Sequence, residues 1–477
     1  MSAEVLDTPQ AGPLALRGSA LRTGAYFGGV LLSLLSAPLL IRHLHQVGFG
    51  RYITVLSIIA IVSGLTEGGL NALALREYTT LSGTARERLM ANMLGLRLTL
   101  SSLGALAAVA FAALAGYPGE LVLGTAVASV AMILRVTQSL LAVPLQGSMR
   151  FGWVSLVDLV QQAVAVALIV ALVVAGAGLV GFVATAIPAA LLALLLTARL
   201  VRRLTALRPS LEPQVFLPLL RAGLPYAIAV ALNNVYFRLT VVLLSLSASQ
   251  LQTGYFATSF RIVELLIALP ALIVGAAYPI LSRAERDDAD RFAYATRRLF
   301  ELSILAGALL ALWLELGAGF AIDLLGGHEA APAAAVLRIQ GLAVLGTFVA
   351  VACTFPMLSL RRHRELMLAN AIGLIVTVVL TLVLVPELHA RGAAIATVGA
   401  EFSLALVTAI SLARASPGLG LPLSAIPVAA LAGGLGVLAG RLVGVQAIVE
   451  VLAGTLVYFG VLVALRRFPP EVRDALR

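Results

Sequence analysis

Five arginines stand inside long apolar runs of this chain: Arg97, Arg135, Arg238, Arg261 and Arg338. A guanidinium stays charged at any accessible pH and grips two phosphate or carboxylate oxygens at once, so its chemistry in such a setting is the binding of an anion. At the centre of a bilayer an arginine facing lipid costs about 2.5–3.5 kcal/mol on insertion scales, so these side chains are expected to face protein or a water-filled passage. Counted from the ends of the runs, Arg135 and Arg238 lie deepest and Arg261 about three turns in, with Arg97 closer to the cytosolic end and Arg338 about two turns from the outer one. An interhelical ion pair is the structural alternative for Arg135 and Arg238. For Arg261 it is a local pair with Glu264, one turn on. Arg97 and Arg338 are expected to snorkel toward an interface.

Buried acids are fewer. Glu67, with Asn71 one turn on, and Glu401 sit deep in their runs. A proton or sodium site would use such groups, as would an arginine that needs a counter-ion while its ligand is absent; the second reading is favoured for both. The most polar stretch of any run is Asn233-Asn234-Val235-Tyr236-Phe237-Arg238. Asn234 and Arg238 share a face at i,i+4 spacing and are expected to line a cavity, with Tyr236 either a ring for a ligand to stack on or a core aromatic. Other motifs carry little. His43-Leu44-His45 reads as a helix end more than as a metal pair, the Gly434–Ala439 stretch as close helix packing, and the lone Cys353 as a small core residue. No catalytic group, metal or cofactor is expected.

The elements that must hold these side chains follow from composition. Of 477 residues 60% are hydrophobic and 12% charged, and the mean hydropathy is +1.02, far from a soluble domain. The chain reads as an all-α polytopic membrane protein. Apolar runs lie at about 22–42, 51–75, 89–116, 120–147, 153–175, 178–200, 219–246, 252–282, 296–323, 332–360, 365–386, 392–414, 422–441 and 445–466, about fourteen crossings with no room for a sizeable soluble domain. Lysine is absent, so all 33 basic residues are arginine and no Walker A loop can form. With the N-terminus inside, twenty-four arginines fall on the cytosolic side and four on the outer side. That asymmetry predicts cytosolic termini and accounts for the net charge of +10 without a nucleic-acid partner.

Ordered matches between the first and second six runs suggest a repeat: Arg22-Thr23-Gly24 with Arg221-Ala222-Gly223, Leu134-Arg135 with Leu337-Arg338, Pro144 with Pro356, and 181–185 with 392–397. The expected plan is a cytosolic tail (1–21), a six-helix lobe (22–200), a linker (201–218), a second six-helix lobe (219–414), two added helices (415–467) and a C-terminal tail (468–477). Arg22-Thr23-Gly24, Gly50-Arg51-Tyr52, Gly254-Tyr255-Phe256-Ala257 followed by Arg261, Glu264, Pro270 and Pro279, and Arg391–Thr397 followed by Glu401 resemble the polysaccharide-repeat-unit flippases of the multidrug/oligosaccharidyl-lipid/polysaccharide (MOP) exporter superfamily. The resemblance covers most of the chain. It implies a V-shaped, MATE-like pair of six-helix bundles in a bacterial inner membrane. It implies alternating access for an isoprenoid-pyrophosphate-linked oligosaccharide, with membrane lipids and polysaccharide polymerase machinery as further partners.

On this reading Arg135, Arg238, Arg261, Asn234, Tyr236 and Arg97 are candidates to bind substrate, and Glu67, Glu401 and Glu264 are candidate counter-ions or coupling sites. A cation-coupled multidrug exporter of the same superfamily is the alternative within the fold, although its acidic cluster is not evident. A membrane glycosyl polymerase, ligase or glycosyltransferase would need a large outer loop or a carboxylate at a helix end. Every expected outer loop is short.

Overall fold

The computed structural model describes residues 11–67, 69–202, 204 and 208–467, and among these the ordered structure is helical, with no strand. In hydrocarbon each backbone N–H and C=O must find its partner within the segment, and the helix is the open-chain solution. Numbering the crossings, α1 and α2 are the runs 11–44 and 46–67 of one long helix, and α2 resumes at Leu70–Thr80. There follow α3 (Gly83–Leu114), α4 (Gly119–Leu141, extended by Val143–Gly147), α5 (Phe151–Val174) and α6 (Leu179–Ala184 and Ala186–Val201). Next come α7 (Pro213–Ser247), α8 (Gln250–Asp287), α9 (Ala289–Gly326) and α10 (Ala333–Ser359). The runs 363–388 and 390–415 form α11 and α12, and α13 (Ala425–Val443) and α14 (Ala447–Ala464) complete fourteen apolar helices.

Two expected loops shrink to single residues. Helices α1 and α2 meet at His45 (φ 54°), and α11 and α12 meet at His389 (φ 50°). The polar residues flanking both histidines read as loops in sequence, yet they continue the helices.

By its internal contacts the chain forms two compact units, Met1–Arg238 and Leu239–Arg477, parted within α7. In the first, α4 packs against α3, α6 and the α1–α2 segment; in the second, α10 packs against α9, α8 and the α11–α12 segment. The turn after each hub helix has the same construction. Met149 (φ 58°) follows α4 and Arg361 (φ 56°) follows α10, both left-handed without being glycine. In both turns the next residue's N–H closes a six-residue ring, Arg150 to Leu145 O at 2.8 Å and Arg362 to Met357 O at 2.9 Å. Aligned on these turns, the two halves take a different register from the match of Leu134-Arg135 with Leu337-Arg338. Met149 and Arg361 pair together with Pro144 and Pro356, so Arg135 falls near Thr347, while Arg338 stands only a turn and a half into α10.

In the second unit α13 and α14 are fastened along α9. Arg441 pairs with Glu315, Trp313 Nε1 donates to Thr455 Oγ1 at 2.9 Å, and buried Tyr458 donates to Leu305 O at 2.8 Å. Lower down, the Arg297 guanidinium donates to the Gly418 and Leu419 carbonyls of the α12–α13 loop.

In the first unit the linker docks on α3. Ser210 N–H donates to Ala91 O at 2.9 Å, and buried Asn92 donates to Glu212 Oε1 at 3.2 Å while accepting from Glu212 N–H. Arg88 pairs with the same carboxylate. The Ser210 carbonyl occupies the space that a side chain on Gly95 would need, so the absent Cβ is what admits the linker.

Candidate functional site

Helix α2 ends at Glu67 and resumes at Leu70, with Gly69 left-handed at φ 70°. A helix end leaves carbonyl groups without partners and carries partial negative charge, so it favours a cation. Arg97 of α3 supplies one. Its Nη1 donates to Glu67 O at 3.1 Å and Thr66 O at 3.4 Å, and its Nη2 lies 3.4 Å from both Asn71 Oδ1 and Glu67 Oε1. Asn71, beyond the break, donates back to Glu67 Oε1 at 3.0 Å and on to Ser139 Oγ of α4 at 3.1 Å. One guanidinium therefore holds both sides of the break, and an amide ties the assembly to α4.

This corrects the expectation that Arg97 snorkels. Its side chain is 1% exposed, because the carbonyl groups of the broken helix and the Glu67 carboxylate neutralise it in place. Glu67 remains 38% exposed. Arg135, one turn before Ser139 on the same face of α4, is exposed and makes no hydrogen bond or ion pair among the described residues. The group joins a buried cation, a half-exposed carboxylate, an amide, a hydroxyl and an exposed cation on three helices of one unit. An anion with hydrogen-bonding groups beside its charge would find partners there.

The other candidates are not brought to this cluster by any described contact. Arg261 pairs with Glu264 at 2.7 Å, the local alternative to a ligand. Arg238 is half-buried and engaged in an interaction of its own, and the Asn234 side chain lies outside the described residues. Tyr236 is 5% exposed, so neither ring face is open for a sugar to stack on. Glu401, 2% exposed, accepts from Thr347 Oγ1 of α10 at 2.8 Å. Arg338 is exposed and stands with Glu315 at an otherwise apolar cavity of about 580 Å³ walled by α9, α10, α12 and α13. Among the described residues no three His, Cys, Asp or Glu side chains are grouped to hold a metal.

Ser139 escaped the sequence reading, although its i,i+4 spacing from Arg135 was available. The apolar cavity escaped it too, because Leu312, Leu342 and Leu406 look the same in sequence whether they face a neighbour, a cavity or lipid.

The fold and these buried charges define a multi-pass helical membrane protein of transporter architecture. The model of the polysaccharide biosynthesis protein family matches residues 15–285, more than half of the chain, and the chain belongs to that family. Among solved structures it is similar to the lipid II flippase MurJ in an inward closed conformation, with a TM-score of 0.79 at 13% identity over 96% of this chain and 100% of that one. It is similar as well to a multidrug resistance MATE transporter of the MOP superfamily, inward-facing, with a TM-score of 0.59 at 16% identity over 82% of this chain and 98% of that one. A MOP superfamily transporter from Pyrococcus furiosus gives a TM-score of 0.56 at 17% identity, covering 85% and 96%. No curated protein matches the chain. At these identities the structures speak for the fold, which is that of MurJ and the MATE transporters.

Proposed function

We propose that this protein is a flippase for isoprenoid-pyrophosphate-linked oligosaccharides, working by alternating access in a bacterial inner membrane with both termini in the cytosol. The observation that carries the reading is Arg135, an exposed cation without a described partner, 16 residues or about 24 Å from the first residue of α4, the hub helix of the first unit. Such a charge is tolerated where water or an anionic ligand meets it, and a pyrophosphate suits a guanidinium fork. Arg238 and Arg261 extend the same role, the latter after exchanging Glu264 for ligand. The lobes 22–200 and 219–414 are the moving parts, and the apolar cavity beside α13 offers lodging to part of the isoprenoid chain. Family membership supports the polysaccharide setting.

A multidrug exporter is the second reading, favoured by the likeness to MATE transporters. One experiment separates them. A strain lacking this protein should accumulate lipid-linked oligosaccharide on the cytosolic leaflet, and proteoliposomes containing the protein should flip that lipid. Normal lipid turnover together with raised drug sensitivity would transfer the protein to the exporter class.

A further inference from the structure

The Glu67 carboxylate poses a question, since a negative charge beside a pyrophosphate site weakens binding of the group that the site should hold. Its hydrogen bonding shows which part of a ligand it could address. Oε1 is occupied by Asn71 and Arg97, whereas Oε2 accepts no hydrogen bond among the described residues and the side chain is 38% exposed. Both donors of Asn71 are spent, on Glu67 and Ser139, and its oxygen accepts from Arg97. Ser139 gives its proton to Val136 O at 2.9 Å and accepts from Asn71, which leaves it acceptor capacity only. The exposed face thus offers acceptors, and it would be matched by a ligand's O–H and N–H donors.

A second cation lies one turn from the contact of Asn71 with Ser139. As alternate crossings, α2 and α4 run in the same direction and touch there, with Glu67 bonded to Asn71 across the break and Arg135 one turn, about 6 Å, before Ser139 on α4. They make no salt bridge with each other, so Arg135 is not quenched by Glu67.

We infer that Glu67 is a specificity-determining residue that selects glycosylated over bare isoprenyl pyrophosphate, with Arg97 as the positioning residue that holds it. This rests on the flippase reading above. In the glycosylated lipid the outer phosphate is esterified to the sugar, has a single ionisable oxygen, and is followed by hydroxyl groups that can donate to Glu67 Oε2 and Ser139 Oγ. In the bare lipid the outer phosphate is a terminal group joined only through the anhydride, has a second ionisable oxygen and hence additional negative charge, and offers no sugar donors, so Glu67 repels it. Selection of this kind excludes the spent carrier, which transport of the loaded one must not reverse, and it uses a repulsive element as specificity requires.

The test measures binding of two probes to purified protein in nanodiscs: a long-chain isoprenyl pyrophosphate, bare or carrying one N-acetylglucosamine. Wild type should bind the glycosylated probe more tightly. Glu67→Gln should raise affinity for the bare probe by about tenfold or more while leaving the glycosylated probe unchanged or weaker. Arg135→Ala should weaken both probes. Arg97→Lys, which keeps the charge and loses the fork, should narrow the discrimination. Equal weak binding of the bare probe to wild type and Glu67→Gln, with the glycosylated probe still bound, overturns the role of Glu67 and leaves the flippase reading standing. Failure of wild type to bind either probe overturns the flippase reading itself. Should Glu67→Gln not accumulate, Glu67→Ala answers the same question.

Discussion

Arg135 and Arg97 are both arginines in the interior of apolar helices, but their surroundings give them opposite sensitivities. Arg135 makes no hydrogen bond or ion pair among the described residues, so Arg135→Ala should leave abundance and thermal stability near wild type while abolishing flipping in proteoliposomes. Lys at this position should restore only part of the activity, because it lacks the two-pronged grip. Arg97 satisfies carbonyl groups and an amide that have no substitute, and hydrogen bonds to a charged group are worth about 1.5–3 kcal/mol. Arg97→Leu should therefore lower the melting temperature in detergent, with a loss of about that size. A variant of normal stability would show that the break in α2 holds itself. The sequence made the charges visible but not this division, since Arg97 and Arg135 have equally apolar flanks. What separates them is the end of α2 at Glu67, where carbonyl groups come free beside Arg97 alone.

Helix α3 is held on two sides, by the broken α2 at Arg97 and by the linker along Arg88, Asn92 and Gly95. Gly95→Ala should displace the Ser210 carbonyl at a cost of about 1–3 kcal/mol and speed tryptic cleavage after Arg208. The Arg88 and Asn92 hydrogen bonds hold the Glu212 carboxyl below its ordinary value of 4.5. A depressed value means that the charged form is the docked one: its contribution is complete above the ordinary carboxylate range and fades as pH falls through the lowered value. The melting temperatures of wild type and Glu212→Gln should differ by a constant amount from pH 8 to 5 and converge below pH 4. Divergence toward acid would refute the assignment. The apolar runs gave the crossings because a bilayer demands them. The corners at His45 and His389 were hidden, since neither position carries the glycine that advertises positive φ.

The expected orientation rests on charge spread along the entire chain. Reporters active on one side only, fused after residues 210, 290 and 470, should all report cytosol, and an outer signal at 290 would break the two-lobe plan. Composition made the membrane class and the number of apolar helices readable, and the arginine asymmetry is the ground for the expected topology that these fusions test. The pairing of the halves was readable only in part, because Leu134-Arg135 and Leu337-Arg338 look alike but stand at different depths. The turns after α4 and α10 give a second register, in which Pro144 and Pro356 also coincide. Met149 and Arg361 have nothing in common chemically, yet both keep a backbone conformation disfavoured for either and close the same ring of hydrogen bonds. The same ring closes α3, α5 and α14, where Gly116, Gly176 and Arg466 take the left-handed position, so what the sites share is a way of ending a helix, for which glycine is the unstrained residue. Met149→Gly supplies the residue that Gly116 and Gly176 already supply at the ends of α3 and α5, and it should stabilise the protein by up to about 1 kcal/mol in a thermal melt.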